Sequence, residues 1–308
     1  MIKIYKNINN ELVTIPEAVE GSWVNVTDPT AEEKAYLISL GVPQDYLVYA
    51  LDPDERSRTE RDGVLLILLR VPAYEGDKVD IPYTTVTLGI ILTGKQLVTI
   101  CKRKIDVLEK FSSGQFRGFS PSKHYRFVLQ ILLATASDYL QHLRQITKRV
   151  DNLEDQLQLS TRNKEVLDLL KYQKSLTLFT TALKSNELML KRLQQSPIFK
   201  TFPEDEDLLE DVLTETQQAI EMTNIESTIL SSMMDAFASI ISNNLNSVMK
   251  FLASITIILS LPTMVASFYG MNVRLPFMDH PLAFPLTLVV SLVFSLTVGI
   301  IFWRHDWL

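Results

Sequence analysis

Residues 250–273 read KFLASITIILSLPTMVASFYGMNV. Phe251–Tyr269 carries no ionisable side chain except the Tyr269 phenol, and about 20 apolar residues is the length at which a helix crosses a bilayer. A second run, Leu282–Trp303, carries no charge at all. Elsewhere the chain is well supplied with charge, Asp, Glu, Lys and Arg making up 21% of the whole. Two uncharged runs beside such a sequence are expected to be membrane spans rather than buried core helices. Pro262, Pro285 and Gly299 are tolerated in spans. Trp303 and Trp307 fit an interfacial belt, with Arg304 and His305 beside them.

Outward from this stretch, Glu204–Leu261 contains neither Gly nor Pro; its first third is acidic and its last third apolar. A helix continuing to Tyr269 would be on the order of 100 Å long, as expected of a stalk that leaves water and enters a membrane. Ser122–Ser196 also lacks Gly and Pro. Its apolar residues recur at helical spacing (Leu140, Leu143, Ile146, Val150, Leu153, Leu157), which predicts two long amphipathic helices with a break near Ser160–Asn163. SPIFKTFPEDED then reads as a turn whose Pro203 and acids open the stalk. Residues 1–121 read as an α/β domain: MIKIY, WVNV, GVLLILLRV, YTTVTLGIIL and QLVTICK as strands, DPTAEEKAYLISLG, PQDYLVYAL and DVLEKF as helices, TGKQ as a hairpin turn. The expected fold class is an α+β membrane protein. It comprises an α/β domain (1–121), a helical hairpin (122–203), a stalk running into the first span (204–269, membrane part about 250–269), a loop (270–281), a second span (282–303) and a tail (304–308).

The composition excludes several functions. A net charge of −6 argues against a nucleic-acid partner and is compatible with cations. Cys101 is the lone cysteine and the four histidines are scattered, so no zinc-ligand spacing arises. No phosphate loop or nucleophile–base spacing appears, and neither an enzyme nor an organic cofactor is expected. MIKIYKNINN lacks the apolar core of a signal peptide. The first 250 or so residues, and after two spans the C-terminus, are therefore expected on the cytoplasmic side of the cell membrane, with Lys250 and Arg304 at the inner ends and FYGMNV at the outer end of the first span.

In steps of three and four back from that loop stand Ser267, Thr263, Ser260, Thr256, Ala253, Met249, Asn246, Ser242, Ser239 and Asp235. Within the membrane this seam is small and hydroxylated. Such a seam serves helix packing in lipid or lines a pore built from several copies of the helix, and the pattern alone does not decide between them. The ends favour a pore. Asp235 would give a ring of carboxylates at the inner mouth, and Met249 with Leu252 an apolar constriction of the kind that gates by dewetting. At the outer mouth Gly270 would let backbone carbonyls approach the axis, and Asn272 would offer amide oxygens. Neutral oxygens suit Mg²⁺, which dehydrates reluctantly.

Tyr269, Gly270, Met271 and Asn272 resemble the signature that ends the first of two C-terminal spans in the CorA family of magnesium channels. The similarity extends to NSVMKFLASITIILSLP, LEDVLTETQQ, LGIILTGKQLVTICKRK and the final Trp307 and Leu308. The resemblance implies a homopentamer with a funnel-shaped cytoplasmic domain and a pore formed by the first span. It implies a selectivity ring of Gly270, Met271 and Asn272, with Asp235, Asn246, Met249, Leu252, Ser260 and Thr263 lining the pore. Thr256 and Ser267 join these from the seam. It further implies regulatory Mg²⁺ bound between neighbouring cytoplasmic domains at Asp211, with Asp77 as partner and Glu75 and Asp80 close by. There are departures: Arg274 stands beside the mouth, with Asp279 further along the loop. The basic tail is reduced to WRHDWL, Pro262 is displaced by one position, and Ser260 and Ser267 replace apolar or small residues. With GMN intact and soft ligands absent, Mg²⁺ is the first expectation. A Zn²⁺, Co²⁺ or Ni²⁺ transporter of the same architecture, or a non-conducting membrane-anchored scaffold, is the alternative.

Overall fold

The computed structural model describes residues 1–8, 11–116, 119–159, 163–200, 202–273 and 280–307. They form two compact units, Met1–Met233 and Met234–Leu308. In the first, strands β1 (Ile2–Ile8), β2 (Glu11–Ile15), β3 (Trp23–Thr27), β4 (Arg58–Asp62), β5 (Val64–Tyr74), β6 (Tyr83–Leu92) and β7 (Leu97–Cys101) make a mixed sheet of order β2-β1-β3-β7-β6-β5-β4. Among the described strands only β3 and β7 run parallel; the other neighbours are antiparallel.

Both faces of the sheet are covered, which is why β5 reads as nearly continuous aliphatic sequence rather than alternating with polar residues. Leu66 and Leu68 point to the side closed by Leu37 of α1 (Ala31–Ser39) and Tyr46, Leu47 and Ala50 of α2 (Gln44–Leu51). Ile67, Leu69 and Val71 point to the other side, against Phe111 of α3 (Asp106–Ser112) and Phe127, Val128 and Ile131 of α4 (His124–Leu159). Gly89 of β6 marks the closest approach: a Cβ there would lie 2.4 Å from Cβ of Ala50. The helix start expected at DPTAEE is a reciprocal capping box, Thr30 Oγ1 accepting from Glu33 N–H and the Glu33 carboxylate from Thr30 N–H.

Helix α5 (Asn163–Gln195) follows α4, and a short 3-10 turn (Pro197–Lys200) leads to α6, Pro203–Tyr269, 67 residues long. Most of the expected break at Ser160–Asn163 falls outside the described residues; α4 stops at Leu159 and α5 starts at Asn163. Leu209 and Val212 of α6 enter the core beneath the sheet, and the Glu226 carboxylate accepts from Thr147 Oγ1 of α4 at 2.7 Å.

In the second unit, the end of α6 meets α7 (Ala283–Arg304). Both helices are long and apolar enough to cross a membrane. The tail WRHDW closes α7 with a Schellman motif. Asp306 adopts a left-handed φ of 54°; Trp307 N–H donates to Phe302 O at 3.0 Å and Asp306 N–H to Trp303 O at 3.3 Å. The Trp307 ring stacks on Phe302 at 5.3 Å.

Candidate ion path and metal-sensing residues

Helix α6 turns one face to α7. Ser254 is fully buried, and Ile255, Ile258, Leu261, Val265 and Tyr269 are half-buried. At 3.6 residues per turn these positions fall within an arc of about 120°. Met249, Leu252, Thr256, Ser260, Thr263 and Ser267 occupy a second arc of about 80°, centred roughly half a turn away, and all six are exposed. The polar seam therefore is not the surface that packs on α7. Asp235 and Asn246, further back, are exposed as well.

The hydroxyls of the seam are tied into their own helix. Thr256 Oγ1 donates to Leu252 O (2.7 Å), Ser260 Oγ to Ile257 O (2.8 Å), Thr263 Oγ1 to Leu259 O (3.1 Å) and Ser267 Oγ to Thr263 O (2.7 Å). With each proton committed to a carbonyl, the oxygen turns only acceptor lone pairs outward. A surface of acceptors suits the outward-pointing hydrogens of a cation's water shell and offers nothing to an anion.

Helix α6 ends by tightening. Gly270 N–H donates to Ala266 O at 3.0 Å and Met271 N–H to Phe268 O at 3.2 Å. Gly270 does not adopt a left-handed φ, and a Cβ there would meet Ala266 O at 3.4 Å, so the described backbone makes a small side chain tight rather than impossible. Gly270, Met271 and Asn272 are exposed. Arg274 and Asp279 lie outside the described residues.

The expected sensing acids belong to the first unit. Asp77 accepts from the Tyr74 hydroxyl at 2.6 Å and pairs with Arg149 at 2.7 Å. That hydrogen bond to a carboxylate pushes the Tyr74 phenol up to about 12. Glu75 pairs with Arg103, and Asp80 with Lys174. Asp211 is exposed on α6, beside buried Leu209 and Val212. Among the described residues no three His, Cys, Asp or Glu side chains of one chain gather closely enough to hold a metal. Sequence reasoning missed a contact on the covered face of α6: Ser295 of α7 donates to Ile258 O at 3.3 Å.

The fold has counterparts among known proteins. The CorA-like Mg²⁺ transporter protein family matches residues 20–304. The chain belongs to the CorA-like family of Mg²⁺ transporters. It is 30% identical to the cobalt/magnesium transport protein CorA of Methanocaldococcus jannaschii, over 93% of this chain and 91% of that one. It is 26% identical to the protein of the same name from Thermotoga maritima, over 93% and 83%. The complete structure of the M. jannaschii CorA magnesium transporter superposes with a TM-score of 0.86 at 26% identity, covering 100% of this chain and 99% of that one. CorA-like proteins are transporters, not enzymes.

Proposed function

We propose that the chain is a divalent-cation channel that assembles as a homopentamer, with α6 of each copy lining the pore and Mg²⁺ passing with its water shell. In this reading Gly270, Met271 and Asn272 form the outer selectivity ring. Ser267, Thr263, Ser260 and Thr256 line the pore, Leu252 and Met249 narrow it, and Asn246 and Asp235 stand toward the inner mouth. Residues 1–249 and the tail 304–308 lie in the cytoplasm, 250–269 and 282–303 span the cell membrane, and 270–281 face outward. Asp211 and Asp77 of neighbouring copies bind regulatory Mg²⁺. For Asp77 this entails giving up Arg149, with which it pairs at 2.7 Å. The observation that carries the reading is the placement of the hydroxyl seam about half a turn from the face covered by α7, which leaves it to line a shared axis.

Because both curated relatives are named cobalt/magnesium transport proteins, Co²⁺ is the second cargo to test. The experiment is ion influx into proteoliposomes loaded with a divalent-sensitive dye, wild type beside Asn272→Ala, with oligomer size checked by light scattering. Influx that vanishes in the mutant at unchanged size supports the ring. Absence of influx from the wild type with Mg²⁺, Co²⁺, Ni²⁺ and Zn²⁺ refutes the channel and favours a scaffold.

A further inference from the structure

Pro262 stands inside α6. Proline has no N–H, so the carbonyl four residues earlier, Ile258 O, loses its intrahelical donor. In a membrane that orphan has no water to turn to. Its partner comes from α7, where Ser295 Oγ donates to it at 3.3 Å. Ser295 differs in this from the neighbouring hydroxyls of α7. Thr287, Ser291 and Thr297 each donate to the carbonyl four residues earlier in their own helix, at 2.8, 2.8 and 2.7 Å. One turn beyond Ser295, the backbone of Gly299 lies against the Ile258 side chain, a Cβ there falling 3.7 Å from Ile258 Cδ1. Ile258 thus meets consecutive turns of α7 at its carbonyl and at the tip of its side chain. Outward of this grip the helices part around a groove of about 630 Å³, lined by Pro262, Ala266, Tyr269, Ala283, Thr287 and Ser291 among others.

We infer that Ser295 is a positioning residue for transport, clamping the pore-facing helix at the point where its own hydrogen bonding is interrupted. The inference rests on the channel reading above. Thr263, Ser267 and the Gly270–Asn272 segment follow the interruption directly. The groove separates part of this outer segment of α6 from α7, and the Ser295 bond stands at its inner end, where it adds to the half-buried contacts of Leu261, Val265 and Tyr269. Without the bond, Pro262 acts as a hinge, and the outer hydroxyls hold their register for only part of the time. The clamp is matched to the proline: restoring an N–H at position 262 gives Ile258 O its own donor and makes Ser295 dispensable.

The test is a double-mutant cycle on the full chain, Ser295→Ala, Pro262→Ala and the pair, read both as dye-reported Mg²⁺ influx in proteoliposomes and as Tm in detergent, with Ser295→Thr as the conservative variant. Ser295→Ala is expected to lower influx about fivefold, the change one ordinary hydrogen bond makes in a two-state equilibrium, and to lower Tm. Ser295→Thr, which keeps the hydroxyl, should restore both. In the Pro262→Ala background, Ser295→Ala should change neither. Additive effects on Tm overturn the clamp. Coupled Tm values with influx unchanged in Ser295→Ala overturn the positioning role. If the wild type conducts no divalent ion while the Tm values still couple, the channel reading fails, and the positioning role with it, and Ser295 is reduced to a helix-packing contact.

Discussion

Asn186 of α5 is the best place to weigh the docking of the helical layer on the sheet. Strand β4 covers the outer edge of β5 only as far as the pair Arg58–Leu68. Beyond it, Arg70 has no strand neighbour on that side among the described residues. Asn186, 3% exposed, takes the place of one: its Oδ1 accepts from Arg70 N–H at 3.0 Å and its Nδ2 donates to Arg70 O at 2.8 Å. Oδ1 also accepts from Ser57 Oγ at 2.6 Å. In Asn186→Ala, Arg70 O keeps the Tyr139 hydroxyl at 3.1 Å, but Arg70 N–H is left buried without a partner. An orphaned buried donor costs about 1–3 kcal/mol and each of the two further lost bonds about 1 kcal/mol, so the expected loss is roughly 3–5 kcal/mol. For a unit of this size that lowers Tm by about 6–20 °C. The assay is thermal unfolding of the full chain in detergent followed by tryptophan emission in a Trp303→Phe, Trp307→Phe background, so that Trp23, fully buried in the sheet, reports on this unit. Asn186→Asp, which can accept but not donate, should also destabilise, since it buries a charge. A loss below about 0.5 kcal/mol in Asn186→Ala would refute the reasoning, because Arg70 N–H would then have found another partner.

Four further outcomes are expected. Gly89→Ala should destabilise the sheet by about 1–3 kcal/mol through overpacking, since its Cβ would stand 2.4 Å from that of Ala50; Ala50→Gly in the same chain should recover part of the loss in Tm. Asp306→Gly should stabilise the end of α7 by about 1 kcal/mol, glycine bearing no strain at the left-handed φ; Trp307→Ala, which removes the stack on Phe302, should speed amide exchange over residues 302–307. Tyr74 ionises at about 12 because it donates to Asp77. A phenol whose pKa is raised on folding contributes stability below its unfolded value near 10, lost as pH rises toward 12; ultraviolet titration should show Asp77→Asn moving Tyr74 back toward 10. On the channel reading, Thr263→Val should cut Mg²⁺ influx by about fivefold, whereas Thr297→Val on the exposed face of α7 should leave it unchanged.

Much of this fold was legible because its elements satisfy their own local rules. The strands β1, β3, β5, β6 and β7, the helix start at DPTAEE and the Gly- and Pro-free run Glu204–Leu261 of α6 all announce themselves in periodicity and punctuation. The two strands that escaped notice, β2 and β4, lie at the two edges of the sheet. An edge strand is half in solvent and carries charge, so ELVTI and especially RTERD lack an apolar signature. The ion pairs that occupy Asp77, Glu75 and Asp80 escaped for another reason: Arg149, Arg103 and Lys174 reach them across the tertiary fold, at separations no spacing rule covers. Pro262 was legible as a tolerated proline, but not the donor to its freed carbonyl, because Ser295 reads like any hydroxyl on an apolar helix.

The two faces of α6 also explain why the sign of the cargo is easier to argue than its identity. Between Phe251 and Tyr269 no side chain carries charge, so discrimination on this stretch falls to dipoles. The seam hydroxyls have already given their protons to the helix, and the C-terminus of α6 carries the negative end of its dipole, which on the channel reading lies at the outer mouth. On the channel reading, these partial charges therefore favour a cation or the hydrogens of its hydration shell. None of these features strips water or offers a soft ligand, so they favour an ion that keeps its shell, as Mg²⁺ does, over one selected by nitrogen or sulfur coordination. Co²⁺ differs from Mg²⁺ mainly in the inner coordination sphere, which this path does not address, and a seam of this kind has little means of telling the two hydrated ions apart. On the channel reading, any discrimination between them is assigned to the proposed ring at Asn272, where the Asn272→Ala comparison of Mg²⁺ with Co²⁺ influx tests it.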